Sequence, residues 1–274
     1  MVVISIINII IYVNNLNYYL YLLTYTTFFI LLYKLCYYIS VGISLEVIIM
    51  NYYLKYVFIF YMGCTFGWVL ELFYRRIVHG HWINPGFLIG PYLPIYGFGL
   101  STLTIIYLLF KDSSLNPVII ILLMGLLMTL IEFIGGLIGE KNNVKLWDYS
   151  NEWGNYKGII CPRFSLIWTI ISAIYYYLLA PYVMHGLDWF SKNLTFSYTL
   201  GLFTGFIVID FIYSGKLYLK IRKYAKNNDI IVKYEQLKMH IKEYQAKTKE
   251  KYSFLNPFKQ TKSLKEYLID YHKN

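Results

Sequence analysis

The sequence predicts an all-α, polytopic membrane protein: a helical bundle with five core transmembrane helices, an N-terminal segment that can add a sixth, two spans broken by Gly and Pro, and a basic helical tail in the cytoplasm. Three observations support this fold class. The chain is 58% hydrophobic and only 15% charged, with a mean hydropathy of +0.47. Its apolar residues fall in windows long enough to cross a bilayer, and nearly all of its excess positive charge follows the last window. Soluble globular domains do not have this composition.

Five apolar windows of spanning length follow one another, at residues 56–78, 87–110, 117–139, 164–185 and 195–215. Ahead of them, residues 18–40 are long and apolar enough for a sixth span, although Lys34 and several tyrosines weaken this prediction. A rival interpretation is that translation starts at Met50 and that residues 1–49 are a misassigned upstream stretch. The chain therefore divides into an N-terminal hydrophobic segment, 1–49, a transmembrane core, 50–215, and a basic tail, 216–274.

The distribution of charge predicts the orientation of the spans. Residues 216–274 contain 15 Lys and Arg against 6 Asp and Glu, which accounts for +9 of the formal net charge of +10. The first and third loops between the spans together hold six Lys or Arg, whereas the second and fourth offer only Lys111 and Lys192. Because basic segments stay on the cytoplasmic side, we expect these two loops and the tail in the cytoplasm of a multi-pass cell-membrane protein. The tail would lie close to anionic membrane lipids.

The tail carries a helical pattern of apolar residues at steps of four and three. These residues are Ile230, Tyr234, Leu237, Ile241 and Tyr244. They predict one amphipathic face, which we expect to lie on the membrane surface or on the protein itself, because two heptads are few for a coiled coil. Further on, Ser263 with Glu266 forms a capping box that predicts a last short helix.

Two spans begin with backbone that cannot be regularly helical. Residues 84–99, NPGFLIGPYLPIYGFG, contain three prolines and four glycines, and residues 158–168, GIICPRFSLIW, have a related pattern. Irregular backbone at membrane depth is tolerated only where protein buries it or a water-filled cavity faces it. The sequence therefore predicts a polar interior site. Its expected backbone contributors are Gly86, Gly90, Pro91, Pro94, Gly97, Gly158 and Pro162.

The same two segments suggest an internal repeat. Each follows an apolar helix that carries one glutamate, Glu71 in the first unit and Glu132 in the second. Two copies of two spans each would run parallel and be related by an axis along the membrane normal. Paired interruptions of this kind mark binding sites in transporters. A chance alignment of short apolar segments is the alternative.

Four charged residues are candidates for a substrate or ion pathway, and they are Glu71, Glu132, Arg163 and Asp210. For Glu71, an ion pair with Arg75 near the end of its helix is an equally good interpretation. The span of Glu132 contains no Lys or Arg, so Arg163 at the broken start of the fourth span is the obvious partner. For Asp210, a structural pair with Lys216 is favoured.

The third loop is rich in aromatic and acidic residues, with Trp147, Asp148 and Tyr149 at its centre. Most Trp and Tyr residues in such loops anchor a protein at the membrane interface, and this is the role that we expect here. No catalytic set of residues is evident, because a Ser/His/Asp arrangement would need a histidine at membrane depth.

Metal and nucleotide chemistry find little support in the sequence. His79 and His81 alternate in one loop, but two imidazoles alone are a weak case for a metal, and we expect neither a metal nor a cofactor. Cys36, Cys64 and Cys161 have no CxxC spacing and are expected to be buried and unpaired. The chain has no GxxxxGK[ST] motif, so any ATP-driven action would need a separate ATPase subunit.

Several ordered motifs resemble a known family. GWVLELFYRR, NPGFLIGPYLPIYGFG, the glutamate of TLIEF, LWDYS and ICPRFSLIW are similar to the family of putative ABC transporter permeases called CmpB-like, or ABC-transporter type IV. The resemblance covers roughly residues 55–185 and implies a small multi-pass bacterial membrane protein. It supplies no binding residues. The chain departs from it at Asn84 and Pro85, where an Arg-Gly pair is expected, and it lacks the EAA-type loop with which classical importer permeases dock an ATPase.

Three functions remain open at this stage. The first is a permease-like subunit that moves a small solute through a polar cavity with a separate energising partner. The second is an intramembrane enzyme or lipid-handling protein that uses Glu132 or Glu71 as a general acid or base. The third is a membrane scaffold whose tail binds a cytoplasmic partner. The expected partners are membrane lipids, an ATPase subunit or a second copy of the chain, and not nucleic acid.

Overall fold

The computed structural model describes residues 45–248, 253–258 and 263–273. It contains two compact units: residues 1–54, of which 45–54 are described and belong to the first helix, and residues 55–274, which contain all other features described below. The expected span over residues 18–40, Lys34 and Cys36 lie outside the described residues.

The described chain is mostly helical, with only two strands of two residues each, which confirms the all-α membrane class. The helices are α1 Leu45–His79, α2 Pro94–Phe110, α3 Pro117–Lys141, α4 Pro162–Ile174, α5 Ala180–Lys192, α6 Ser197–Asn227, α7 Tyr234–Thr248 and α8 Leu264–Lys273. A π turn, Tyr175–Leu179, joins α4 to α5, and a 3-10 turn, Leu194–Phe196, precedes α6. Two short strands, β1 Val144–Lys145 and β2 Val232–Lys233, pair in parallel.

Four helical stretches are long and apolar enough to cross a membrane, at residues 49–78, 117–141, 162–192 and 194–227. They correspond to four of the five predicted windows. The third stretch contains α4, the π turn and α5, and Pro181 lies just after the π turn. Proline has no N–H and its ring clashes with the carbonyl four residues earlier, and a widened π turn accommodates both effects.

The second predicted window is helical only in part, because α2 begins at Pro94 and not at residue 87. Gly86 has a φ of 72°, a conformation that glycine favours, and residues 84–93 form no helix. The remaining 17 residues of α2 span about 25 Å, slightly less than the hydrocarbon core of a bilayer.

The tail packs on the protein itself. Tyr234, Leu237 and Ile241 of the predicted amphipathic face are buried in a cluster with the end of α6 and with Val144 of the third loop, and Val232 pairs with Val144 across the two strands. The contacts thus place the third loop and the tail at the same end of the helices. The predicted last helix begins at Leu264, and one bond of the capping box is present: the backbone N–H of Glu266 points to Ser263 Oγ at 3.4 Å. The Ser263 hydroxyl donates to Glu266 Oε1 at 2.9 Å, where a capping box would have the backbone N–H of Ser263 as the donor.

Helices α1 and α2 approach each other closely through glycine. A Cβ added at Gly63 would lie 2.7 Å from the carbonyl oxygen of Tyr96, and one added at Gly97 would lie 2.5 Å from Sγ of Cys64. Small residues permit such close contact between membrane helices. Gly97, predicted to shape a cavity, therefore serves helix packing, and Cys64 is buried and unpaired as expected.

Alanine at Gly63 should separate α1 from α2 and lower stability by about 1 to 3 kcal/mol, as overpacking does in other cores. The measurement is thermal unfolding of the purified protein in mild detergent. Gly201→Ala is the matched control, because a Cβ at Gly201 in α6 meets nothing within 4 Å. Equal unfolding temperatures for the two variants would contradict the packing described here.

Candidate functional site

The irregular backbone before α2 is held by a carboxylate from α6. Asp210 accepts hydrogen bonds from the backbone N–H groups of Ile89 at 3.1 Å and Gly90 at 2.7 Å. The hydroxyl of Ser214 donates to the same carboxylate at 2.7 Å. The predicted pair of Asp210 with Lys216 is not formed, because the carboxylate faces the free N–H groups of the broken span instead.

Asn84 satisfies the carbonyl groups of the same segment. Its side-chain Nδ2 donates to the carbonyl oxygens of Leu88 at 3.2 Å, Ile89 at 2.9 Å and Leu255 at 3.2 Å. Its Oδ1 accepts a hydrogen bond from the indole of Trp68 at 2.7 Å. Every polar atom of the Asn84 side chain is therefore used, and a departure from the family pattern turns out to be a structural feature.

Lys238 of α7 reaches the broken segment from the tail. Its Nζ donates to the carbonyl oxygens of Asn84 at 2.9 Å and Gly86 at 2.6 Å, and lies 4.7 Å from the ring centre of Tyr234. The side chain is buried. Burial, reinforced by the positive charge of Arg75, lowers the pKa of Lys238 from 10.5 to about 7. Sequence analysis did not single out this residue.

Glu71 forms the ion pair with Arg75 that the sequence allowed, and it also accepts a hydrogen bond from the next helix. Its Oε1 lies 3.1 Å from Nε of Arg75, and its Oε2 accepts a hydrogen bond from the hydroxyl of Tyr96 at 2.8 Å. The Arg75 side chain is only 8% exposed and also pairs with Glu235 of α7. Glu235 in turn lies 3.5 Å from Nε2 of His81. The carboxylate is thus ion-paired and also directed into the protein.

Glu132 is only 4% exposed and is held by neutral donors. The hydroxyl of Tyr149 donates to Oε1 at 2.8 Å, and the indole of Trp168 donates to Oε2 at 3.0 Å. The predicted partner Arg163 is instead 3.0 Å from Glu152, and its side chain is 64% exposed. The pairing of Glu132 with Arg163 is therefore wrong: Arg163 is the second residue of α4 and turns toward the loop, whereas Trp168 faces α3.

The sites of Glu71 and Glu132 are in contact with each other and have similar hydrogen-bond donors. The rings of Tyr96 and Trp168 meet edge to face at 5.8 Å. In each unit the glutamate accepts a hydrogen bond from an aromatic residue of the helix that follows the glycine-led break, and Gly158 has a φ of 67°, close to that of Gly86. The donors differ by about one helical turn, since Tyr96 is the third residue of α2 and Trp168 the seventh of α4. These features support the repeat, which stays a prediction.

The third loop connects Glu132 to the tail, and the side chain of Tyr149 forms contacts within the protein. Besides its bond to Glu132, its ring stacks on Phe164 at 4.3 Å. The indole of Trp147 donates to the backbone of Ile159 at 3.0 Å, which closes the loop on itself. One feature of the sequence points to these contacts: a carboxylate in a span without Lys or Arg needs hydrogen-bond donors from elsewhere in the protein.

Asp148 attaches the same loop to the tail. Its carboxylate lies 3.1 Å from Nζ of Lys145 and 2.7 Å from Nζ of Lys233. Burial alone would raise the pKa of Asp148, but the hydrogen bonds from Lys233, Ser150 and Lys145 outweigh it and hold the pKa well below its usual range.

Two of the three prolines predicted to shape a cavity begin helices. Pro94 and Pro162 occupy the first positions of α2 and α4, where the missing N–H has no intrahelical partner in any case. Pro91 follows Gly90, the glycine bound by Asp210. A void of about 10 Å³, room for about one water molecule, lies between α3 and the third loop. It is lined by residues such as Gly136, and none of the four candidate charged side chains faces it.

No group of three or more His, Cys, Asp or Glu that could hold a metal is found among the described residues. Cys161, like Cys64, is buried and free.

The apolar helices and the charged side chains buried among them define an integral membrane protein. Residues 58–215 match the family described as "Putative ABC-transporter type IV", and the chain belongs to this family. The resemblance inferred from the motifs is thereby confirmed. Family and fold together make the chain a membrane protein related to transport. Searches of the curated proteins and of the solved structures return no match.

Replacing Asp210 by Asn should release the backbone of the broken span, because the amide group turns one acceptor into a donor that faces another donor. Loss of a charge-assisted hydrogen bond should raise amide hydrogen exchange at Ile89 and Gly90 roughly ten-fold or more. Amide hydrogen exchange detected by mass spectrometry measures this increase. Lys216→Gln is the control and should leave exchange unchanged. Increased exchange with Lys216→Gln would instead support the ion pair of Asp210 with Lys216 that the sequence predicted.

Docking of the tail should depend on pH through Lys238. A free lysine keeps its proton up to about pH 10.4, so docking releases a proton between about pH 7 and that value. The equilibrium constant for docking should therefore increase as pH rises from 7 to 9, by at most about ten-fold per pH unit. Below pH 7, Lys238 should make no pH-dependent contribution to docking. Arg75 acts in the same direction as burial, and Glu235 opposes it.

Limited proteolysis of the tail measures this dependence, with each rate normalised to an unstructured peptide at the same pH. Lys238→Met should remove the dependence. Lys247→Met, an exposed position on the same helix, should keep it. A dependence that survives Lys238→Met would assign it to another group.

Proposed function

We propose that the protein is a permease-like subunit that moves a small solute along a pathway past Glu71 and Glu132, with energy from a separate subunit. The observation that carries the proposal is Glu132, an intramembrane carboxylate that is almost completely buried and bound only by neutral donors in the described part of the chain. Charged groups inside a membrane are costly, and those that persist usually serve a pathway.

The hydrogen bonds to the two carboxylates are suited to a site that opens and closes. A hydroxyl or indole donor leaves a carboxylate at a cost of about 1.5 to 3 kcal/mol, much less than separating a buried ion pair. The bonds from Tyr96 and Trp168 bring α2 against α1 and α4 against α3. We infer that these bonds close the pathway and that a solute passes when they are broken.

The family supports an energising partner, which under this proposal would bind the nucleotide because the sequence has no P-loop motif. The basic first and third loops and the tail support a multi-pass protein of the cell membrane with its C-terminus in the cytoplasm. The contact of Lys238 with Asn84 and the pairing of β1 with β2 favour the same orientation, because they hold both loops and the tail at one end. An ATPase would meet the protein at that end.

The test compares a strain that lacks the gene with the same strain complemented by wild type, Glu132→Gln or Glu140→Gln. Mass spectrometry of small molecules in cells and medium identifies any solute whose distribution the wild type restores. Glu132→Gln should reduce this restoration about ten-fold or more, because an uncharged amide replaces the buried carboxylate. Glu140→Gln should behave as wild type, since Glu140 lies two turns further along α3 in a partly exposed pair with Lys157.

Equal restoration by Glu132→Gln and wild type would contradict a pathway at this carboxylate. A change in membrane lipids with no change in soluble solutes would favour the lipid-handling alternative. Folding of each variant is checked by its elution as a single species in detergent.

A further inference from the structure

We infer that the C-terminal tail is an intramolecular latch: when α7 is docked, it holds the broken start of the second span in place and keeps the pathway at Glu71 closed. This inference rests on the proposed function, and it adds a regulatory element to the same site. Three sets of contacts support it.

The first set joins the tail to the broken backbone. Lys238 donates to the carbonyl oxygens of Asn84 and Gly86, and Lys242 donates to that of Trp82 at 3.2 Å. These carbonyls belong to the irregular segment that leads into α2. A tail that leaves would expose them, so movement of this segment and release of the tail are coupled.

The second set joins the tail to the candidate pathway. Arg75 contacts Glu71 of its own helix and Glu235 of α7 at the same time. One guanidinium can bridge two carboxylates because it presents donors on several sides. When the tail is docked, Arg75 is held between them; when the tail is released, Arg75 keeps only Glu71 and gains freedom to move.

The third set explains how the tail can be released without unfolding of the core. The docked tail is held at its start by the two-residue pairing of β1 with β2 and by Lys233 on Asp148. Loss of Lys238 would leave the carbonyl groups of Asn84 and Gly86 without this donor, which weakens docking although the apolar face of α7 is unchanged. The apolar part of α7 packs on the end of α6, on Val144 of the third loop and on Phe87 of the broken segment, and none of the residues in this cluster belongs to α3 or α4.

The release experiment uses full-length protein with Glu235→Gln and Lys238→Met together. The matched control is Glu243→Gln with Lys247→Met, which makes the same chemical changes at exposed positions of the same helix. Hydrogen exchange of residues 82–90 reports on the latch, and transport of the solute identified above reports on function. The release variant should raise exchange and increase transport about five-fold or more, the lower end of typical coupling between two sites.

Increased exchange with unchanged or reduced transport would overturn the latch, and so would unchanged exchange. If transport requires Glu132 but ignores the tail, the latch fails and the proposed function stands. If no solute responds to the gene at all, the proposed function fails and the latch fails with it.

The converse experiment locks the tail. Val144 and Val232 are directly paired across the parallel strands, so cysteines at both positions are within reach of a disulfide. Oxidation should stop or strongly slow transport, and a reducing agent should restore it. Val232→Cys alone should not respond. Transport by the oxidised, cross-linked protein at the wild-type rate would overturn the inference even if the release variant folds poorly.

Discussion

The structure depends on one constraint: the irregular backbone of residues 84–93 is largely buried, so its N–H and C=O groups must find hydrogen-bond partners within the protein. Asp210 takes two N–H groups of this segment, the Asn84 side chain takes two of its carbonyls, and Lys238 takes two more. These partners come from the segment itself, from the last span and from the tail. Satisfying a few polar atoms therefore fixes the first loop, α6 and α7 to one another.

The two intramembrane glutamates meet the same constraint in different ways. Glu71 has a cation and a hydroxyl donor, whereas Glu132 has a hydroxyl and an indole. Neutral donors stabilise a carboxylate less than an ion pair does. Glu132 can thus exchange its hydrogen-bond partners more easily than Glu71, and this asymmetry supports Glu132 as the variable member of the pair.

Features that depend on local sequence were predictable, and those that depend on distant residues were not. Hydrophobicity located four spans, and local patterns located the start of α8 after Ser263 and the apolar face of α7. The ion pairs predicted for Arg163 and Lys216 from their nearness to a carboxylate were wrong. Charged side chains near a helix end can turn toward solvent, while donors that are distant in sequence reach the buried carboxylate. Lys238 contacts a residue 154 positions away, and no periodicity or spacing could identify that contact.

The shared guanidinium of Arg75 makes any influence of the tail on Glu71 reciprocal. If docking of Glu235 changes how tightly Glu71 holds a solute, then that solute changes docking by the same factor. A solute that displaces Tyr96 from Glu71 would move α2, whose preceding segment Lys238 holds, and would thereby loosen the docked tail. This route leads from the centre of the bundle to the tail, so occupancy of the pathway and position of the tail form one linked equilibrium.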